Sequence, residues 1–263
     1  MVDFQCTKSY TVDDLRKIVA LLRSDEGCPW DKEQTHESIR RNFLEEAYEA
    51  CEAIDTGDRE LLREELGDVL TQVIFHARIE EEAGHFNLDD VADTTCKKLI
   101  FRHPHIFGDT RAENTEEVIL AWDELKRQEK QHETITQSME AVAKSLPATW
   151  RAEKIQAKAK KVGFDWPDVT GALDKLIEEA IELKEAIAEQ SGIEEELGDL
   201  LFSVVNIARI LDLDPEEALH KTSNKFIRRF DYLEQRALEQ GRPLADMSLD
   251  EMEALYQEGK SEL

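Results

Sequence analysis

The chain has 263 residues, with 59 Asp and Glu against 33 Lys and Arg, so its formal net charge is −26 at pH 7. Hydrophobic residues make up 41% and charged residues 35%, which is typical of a folded, heavily charged globular protein of one large or two ordinary domains. The acidic excess argues against unaided binding to nucleic acid or to an anionic membrane, because phosphate groups would be repelled.

The N-terminus and the cysteines favour a cytoplasmic protein. Residues Met1 to Phe4 do not form a basic region followed by an apolar run, and no stretch approaches the roughly 18 apolar residues of a membrane helix. The cysteines form no CxxC pair, so neither a zinc site nor a disulfide framework is expected, and free thiols fit a reducing compartment. These cysteines are Cys6, Cys28, Cys51 and Cys96.

Polar capping residues mark helix starts along the whole chain. Between them, apolar residues recur with a helical period, and strand signals are nearly absent. In chain order the predicted starts are at Thr11, Thr35, Asp58, Asn87, Ser145, Asp214 and Ser248. Asp214 is followed by Pro215 at the first turn and by Glu217 three residues on, a strong helix start. The sequence therefore predicts an all-α fold of antiparallel helices joined by short loops.

Four landmarks recur in the same order in the two halves of the chain. Gly27–Trp30 corresponds to Gly163–Trp166, Leu44–Glu49 to Ile177–Glu182, Glu65–Asp68 to Glu196–Asp199, and Lys98 and Arg102 to Lys225 and Arg229. The offset between the copies shrinks slowly, from 136 to 127 residues. We therefore predict two tandem helical-bundle modules, residues 1–135 and 136–263, joined near the polar stretch 131–138.

Each module carries an ExxE motif on one helix and an ExxD motif on the next. The carboxylates are Glu46, Glu49, Glu65 and Asp68 in the first module, and Glu179, Glu182, Glu196 and Asp199 in the second. Residues three apart lie about 60° apart around a helix, so each motif forms an acidic edge. Around its helix Glu179 has Leu183 and Ile187 on one side and Ala186 on the other, and Leu200 lies beside Glu196. Carboxylates from consecutive helices therefore point toward an apolar interface.

Such carboxylates require cations. Burying one without a partner costs several kcal/mol. Oxygen donors without a nearby His or Cys suit a hard ion, so we predict Mg²⁺, with Mn²⁺ as a possible substitute. The alternative is that ExxE and ExxD are common motifs on solvated faces of a Glu-rich helical protein. Their repetition at the core edge of both halves favours the metal site.

A basic pair follows the acidic helices of the second module. Lys225 and Arg229 lie four residues apart, on one face of a predicted helix. Metal with Lys and Arg is the usual combination for binding a polyphosphate. The alternative is a salt-bridged surface helix. No glycine-rich phosphate loop is present, so P-loop and dinucleotide-binding folds are excluded.

Two other classes of protein remain as alternatives. A di-iron carboxylate bundle needs two ExxH motifs, and the chain contains Glu82…His85 and Glu217…His220 at non-equivalent places in the repeat. A non-catalytic helical scaffold is the other class. The run His103–His105 suggests either a metal site or a rigid loop after a helix.

The two modules differ beside the ExxD motif. Seven and ten residues past Glu196 stand Ser203 and Asn206, which extend the polar strip of that helix. The same steps from Glu65 reach Gln72 and Phe75, and a Phe offers no hydrogen bond to a nucleotide. We therefore predict that the second module carries most of the turnover. Alternatively, Phe75 simply packs against a neighbouring helix, which is compatible with the same outcome.

These motifs resemble those of the all-α nucleoside triphosphate pyrophosphohydrolases, and the tandem layout is similar to that of the MazG family. The resemblance rests on Gly27–Thr35, Leu44–Glu49, Glu65–Asp68, His103–His105, Val162–Trp166 and Glu195–Phe202. It implies two MazG-like helical-bundle modules, cleavage of (d)NTPs to (d)NMP and pyrophosphate, a homodimer, and activity mainly in the second module. Such an enzyme would control nucleotide pools or remove unwanted nucleotides.

The resemblance also implies roles for individual residues. Glu179, Glu182, Glu196 and Asp199 would hold Mg²⁺, and Lys225, Arg229 and Tyr256 would contact the nucleotide, to which the polar strip described above adds Asn206. Tyr256 takes the place of an aromatic residue that is commonly Trp. Either Glu178 or Glu179 would orient or deprotonate the attacking water. The first-module equivalents, expected to be weak or inactive, are Glu46, Glu49, Glu65, Asp68, Lys98 and Arg102, with Phe101 where an Arg is usual.

Overall fold

The computed structural model of the protein describes residues 4, 6–108, 114, 118 and 134–262. Every regular element in these ranges is helical, which confirms the predicted all-α class. None of the described helices is long and apolar enough to cross a membrane. The chain divides into two compact units, Met1–Glu129 and Lys130–Leu263. This division falls a few residues before the boundary predicted after residue 135, and residues 131–133 of the predicted join lie outside the described ranges.

The first unit is built around a helical hairpin. Within residues 6–108 its helices are α1 (Val12–Leu22), α2 (Pro29–Glu33), α3 (His36–Thr56), α4 (Arg59–Glu82), α5 (Leu88–Arg102) and α6 (Pro104–Phe107). The two-residue link between α3 and α4 makes them antiparallel neighbours, and α1 and α5 pack against α4. The core consists of Val19, Ile39, Ile74 and Phe75.

Capping interactions explain where these helices begin. Thr11 and Thr35 form capping boxes with Asp14 and Ser38, and Asn87 does so in front of α5. The Asp58 carboxylate accepts hydrogen bonds from two backbone N–H groups at the start of α4. These four predicted starts are therefore confirmed.

The second unit repeats the hairpin. Its helices are α7 (Ile135–Glu140), α8 (Ala148–Lys160), α9 (Val169–Glu189), α10 (Ile193–Ile210), α11 (Pro215–Glu239) and α12 (Leu249–Glu262), with a 3-10 turn at Leu244–Asp246. Helices α9 and α10 pack as the second hairpin, α8 packs on α10, and α11 contacts α8, α10 and α12. Gln190 and Gly192, both with left-handed backbones, form the tight link from α9 to α10.

Two of the three predicted starts in this unit are confirmed and one is wrong. Asp214 caps α11 and Ser248 pairs with Glu251, as predicted. The helix predicted from Ser145 begins instead at Ala148, after Pro147. A proline disfavours helical geometry in the residue before it, so the segment before Pro147 forms turns.

Candidate metal and nucleotide site

The second hairpin brings three carboxylates together. Glu179 on α9 and Glu196 and Asp199 on α10 offer oxygen atoms that all lie within 4.8 Å of one another. Glu179 is 5% exposed, Glu196 is half-buried, and Asp199 is exposed. The short Gln190–Gly192 link and the packing of α9 on α10 hold the two motifs at the same level. The group therefore has one buried ligand and an open side facing solvent.

Glu182 lies at the rim of this group, one helical turn from Glu179. It is not among the three residues whose oxygens meet within 4.8 Å. Partial burial, followed by the charges of Glu179 and Glu196 among others, raises the pKa of Glu182 above its usual value. The carboxylates thus share one electrostatic environment, and the metal-ligand role of Glu182 stays a prediction.

A lysine that the sequence analysis missed neutralises part of this group. The Lys175 ammonium lies 2.6 Å from a Glu178 oxygen and 2.6 Å from a Glu179 oxygen. These two carboxylates raise the pKa of Lys175 well above its usual range. Its position four residues before Glu179, on the same helical face, was the signal that could have revealed it. Both candidates for orienting the water therefore share one cation.

The flanks of Glu179 differ from the predicted apolar stripe. Ala186 is buried and Leu183 half-buried, but Ile187 is 55% exposed. One side of the stripe on α9 therefore packs inside the second unit, and the other side reaches its surface.

The first hairpin also gathers three carboxylates, with different members. Glu46 and Glu49 on α3 and Glu65 on α4 offer oxygens within 4.8 Å of one another, and Asp68 is exposed outside this group. Glu65 is 8% exposed. Burial, then the charges of Glu49, Asp68 and Glu46, raises its pKa. In this group two carboxylates come from ExxE and one from ExxD. In the second hairpin one comes from ExxE and two come from ExxD.

No lysine compensates the first cluster at the matching place. The position that corresponds to Lys175 is occupied by Asn42. The neighbouring Arg41 donates at 2.7 Å to Glu45, the counterpart of Glu178, rather than to the cluster. The buried carboxylate of Glu65 consequently stands among acidic neighbours.

The predicted basic pair lies on α11, which contacts α10. Lys225 is exposed and Arg229 half-buried, and within the described part of the chain neither forms an ion pair. This does not fit the alternative of a salt-bridged surface helix at these two positions. In the first unit, Lys98 and Arg102 are half-buried near the end of α5.

Tyr256 on α12 meets the same stretch of α11. Its ring centroid lies 5.6 Å from that of Phe226, the residue after Lys225, and the Lys260 ammonium lies 5.9 Å from the Tyr256 ring. Phe226 also stacks on Phe230 at 6.1 Å. The structure thus places an aromatic cluster, half-open to solvent, beside the basic pair.

Asn206 and its counterpart Phe75 have different surroundings. The side-chain oxygen of Asn206, Oδ1, accepts hydrogen bonds from Arg209, whose guanidinium also pairs with Asp165. Phe75 is 8% exposed in the core of the first unit, with the Arg23 guanidinium 5.1 Å from its ring centroid. Phe75 therefore packs as a core residue, which was the alternative reading of that position.

The ExxH motifs of the di-iron alternative are engaged elsewhere. Glu82 binds Arg23 and Arg78, and His85 bonds to Glu80 at 2.7 Å. Glu217 pairs with Lys221. Neither motif contributes to the carboxylate groups found in the described ranges, which leaves that alternative without support.

His103 supports the loop interpretation of the His103–His105 run. Its Nδ1 lies 2.6 Å from the carbonyl oxygen of Leu99, and Pro104 begins the short helix α6. The histidine therefore closes the end of α5.

Known proteins share both the motifs and the layout of this chain. The model of the MazG nucleotide pyrophosphohydrolase domain matches it twice, over residues 34–107 and 169–233. The nucleoside triphosphate pyrophosphohydrolase/pyrophosphatase MazG of Thermotoga maritima is 43% identical over 94% of this chain and 95% of its own length. A nucleoside triphosphate pyrophosphohydrolase of Escherichia coli K12 is 41% identical over 95% of this chain and 97% of its own length.

Proposed function

The chain belongs to the MazG nucleotide pyrophosphohydrolase family, and on that premise we propose that it hydrolyses nucleoside triphosphates to the monophosphate and pyrophosphate with Mg²⁺. The observation that carries the proposal is the group formed by Glu179, Glu196 and Asp199, within 4.8 Å of one another on a hairpin whose second helix contacts the basic helix α11. Its cellular role would be to control or clean the nucleotide pool. The chain's net charge of −26 disfavours nucleic acid as a partner.

The donor set fits a hard divalent ion. Glu179, Glu196 and Asp199 offer only carboxylate oxygens, and Glu182, at the rim of the group, would be the fourth ligand. Mn²⁺ prefers similar ligands and is the expected substitute. When bound, the ion neutralises charge on the phosphates and polarises the α-phosphorus.

The protein's own residues then bind and orient the substrate. Lys225 and Arg229, without ion-pair partners in the described chain, stabilise the charge of the triphosphate and of the departing pyrophosphate. Tyr256, beside Phe226, offers its ring to the nucleoside. Both rings lie next to the basic pair, so phosphates and nucleoside bind side by side.

We assign the attacking water to Glu178. Glu179 belongs to the group that would hold the metal, so its oxygens would be occupied by the ion. Glu178 is the adjacent carboxylate outside that group, and Lys175 ties both side chains together at 2.6 Å. Glu178 can therefore hold the water next to the metal ligands and accept its proton.

An exposed apolar strip on the hairpin supports a homodimer. Ile177 and Ile181 on α9 are 58% and 52% exposed, and Leu197 and Leu201 on α10 are 45% and 59% exposed. Leu44, Tyr48 and Leu66 repeat the strip in the first unit at 46%, 52% and 54% exposed. An isologous contact between two copies would cover such residues. Light scattering at micromolar concentration should give twice the chain mass, and a fully active monomer would refute the dimer.

The reaction is tested by analysing the products of a panel of NTPs and dNTPs with Mg²⁺. We expect NMP and pyrophosphate in equal amounts, no turnover in EDTA, and recovery with Mg²⁺ or Mn²⁺. In ¹⁸O-labelled water the label should enter the monophosphate, because water attacks the α-phosphorus. Primary release of NDP and orthophosphate, or absence of turnover, would contradict the proposal. The same panel reveals the preferred base and sugar.

A further inference from the structure

A buried guanidinium joins the loop before α9 to the polar face of α10. The Arg209 side chain is 7% exposed. Its Nη1 donates to Asp165 Oδ2 at 3.1 Å, and its Nη2 contacts the other carboxylate oxygen. Its Nε and Nη2 donate to Asn206 Oδ1 at 3.1 and 2.7 Å. One residue therefore binds a carboxylate on one side and a carboxamide on the other.

This contact determines which way the Asn206 carboxamide points. A guanidinium has only donors, so the atom of Asn206 that faces Arg209 must be the carbonyl oxygen. A flipped amide would set its NH₂ against the N–H groups of Arg209. The NH₂ group consequently points away from Arg209, and it makes no hydrogen bond within the described ranges of the chain. Asn206 is thus an oriented donor with no partner in the described chain.

The position of Asn206 on α10 relates it to the carboxylate group. It lies seven residues after Asp199, two helical turns on and only about 20° away around the axis. The distance along the axis is about 10 Å. Because Mg²⁺ binds oxygens at about 2.0–2.1 Å, Asn206 cannot reach an ion held by Asp199. Its NH₂ group therefore addresses a part of the substrate remote from the metal-bound phosphates.

We propose that Arg209 is a positioning residue that presents the Asn206 NH₂ group to a hydrogen-bond acceptor of the nucleoside, either a sugar oxygen or an acceptor on the base. The inference rests on the proposed function and deepens it. Arg209 acts through Asn206. The pairing with Asp165, whose pKa the guanidinium lowers, compensates the burial of the Arg209 charge and fixes its orientation.

The first unit shows that the fold does not require this arrangement. Arg78 stands at the position of Arg209, but Phe75 replaces Asn206 and Pro29 replaces Asp165. Arg78 instead pairs with Glu81 and Glu82 on its own helix, each at 2.9 Å. An equivalent hairpin therefore forms without the interaction. This favours a role of Arg209 in substrate binding over a purely structural role.

Substitutions of Arg209 in the full chain test the proposal. Arg209→Met should raise KM for NTP and the dissociation constant of the NMP product by about tenfold, the worth of one oriented hydrogen bond. The dissociation constant of pyrophosphate, measured by calorimetry with Mg²⁺, should not change. Arg209→Lys keeps the charge beside Asp165 but lacks the planar fork, so it should recover only part of the NMP affinity. Combined with Asn206→Ala, Arg209→Met should cost little more.

Asn206→Asp provides a second variant in case Arg209→Met fails to fold. It keeps the acceptor for Arg209, removes the NH₂ group and places a carboxylate beside the guanidinium, so NMP binding should weaken while a thermal unfolding assay shows a folded protein. Arg78→Met is the matched control and should alter neither KM nor NMP affinity.

Three results would overturn the proposal: equal weakening of NMP and pyrophosphate by Arg209→Met, an undiminished effect in the Asn206→Ala background, or wild-type NMP affinity in Asn206→Asp. Failure of the proposed function would look different, because the unsubstituted protein would then show no turnover and no NMP binding.

Discussion

The two modules share a hairpin that gathers three carboxylates and differ in what surrounds it. In the second, Lys175 contacts the buried Glu179 and a polar network orients Asn206. In the first, Asn42 replaces the lysine and Phe75 fills the core. Repetition has kept the spacing of acidic residues, because the same pair of packed helices carries it. The basic pair is also kept, as Lys98 and Arg102, whereas the positions of Lys175 and Asn206 lie outside that spacing and have diverged.

The divergence exchanges polar contacts for packing. Phe75 packs with Val19, Ile39 and Ile74, so its position in the first unit contributes hydrophobic burial. The corresponding position of the second unit holds Asn206, whose amide accepts hydrogen bonds from Arg209 and keeps an NH₂ group that can recognise a ligand. A module that retains a possible metal group but lacks counterparts of Lys175 and Asn206 is expected to bind an ion without turning over substrate.

The largest expected effect comes from neutralising the carboxylates of the second module. Glu179→Gln or Asp199→Asn should lower kcat by about a thousandfold, since the metal contributes several kcal/mol to such reactions. The matched variants Glu46→Gln and Asp68→Asn should leave most of the turnover. Turnover is measured at saturating Mg²⁺, and thermal unfolding checks that each variant is folded. Equal losses in both sets would make both modules working sites.

Glu178→Gln tests the proposed base within the second hairpin. Loss of a general base typically costs about a hundredfold or more in kcat, and the affinity for Mg²⁺ should stay unchanged because Glu178 is outside the metal group. Its counterpart Glu45, paired with Arg41, serves as the control, and Glu45→Gln should be silent. A normal kcat in Glu178→Gln would show that Glu178 is not the base, and Glu179 would then be the candidate for orienting the water.

Local features of the fold could be predicted from the sequence, and long-range contacts could not. A capping side chain and the backbone N–H that it binds lie within three residues, so Thr11, Thr35 and Asp58 predict the starts of their helices. Ser145 misled because Pro147 moves the start of the helix. The helical period placed carboxylates at the core edge, and Glu179 and Glu65 are indeed buried.

Parts of the candidate site depend on information that a helical period does not contain. Lys175 was readable as an i,i+4 partner of Glu179 and was overlooked. The pairing of Asp165 with Arg209 spans 44 residues, and no local pattern predicts it. Side-chain directions also decide which acidic residues meet, so Asp199 joins its group while the equivalent Asp68 does not.

The smallest expected effect concerns the stability of the metal-free protein. Burial and the charges of Glu49 and Asp68 raise the pKa of Glu65, so the folded protein binds this proton more tightly than the unfolded chain does. The stability cost is absent below the ordinary carboxyl pKa, grows as the pH rises through the raised value, and is complete above it. Glu65→Gln removes the charge and with it this cost.

In EDTA at pH 7, Glu65→Gln should therefore melt slightly above the unsubstituted protein, and the difference should vanish as the pH falls to the ordinary carboxyl pKa. Comparison at each pH cancels other titrating groups, such as His76, whose pKa is lowered by burial. Glu179→Gln should not raise the melting temperature, because Lys175 already compensates the charge of Glu179. If the first cluster binds the ion, excess Mg²⁺ should make the unsubstituted protein melt above the Glu65→Gln variant. Equal gains for both variants would show that the lysine does not distinguish the modules.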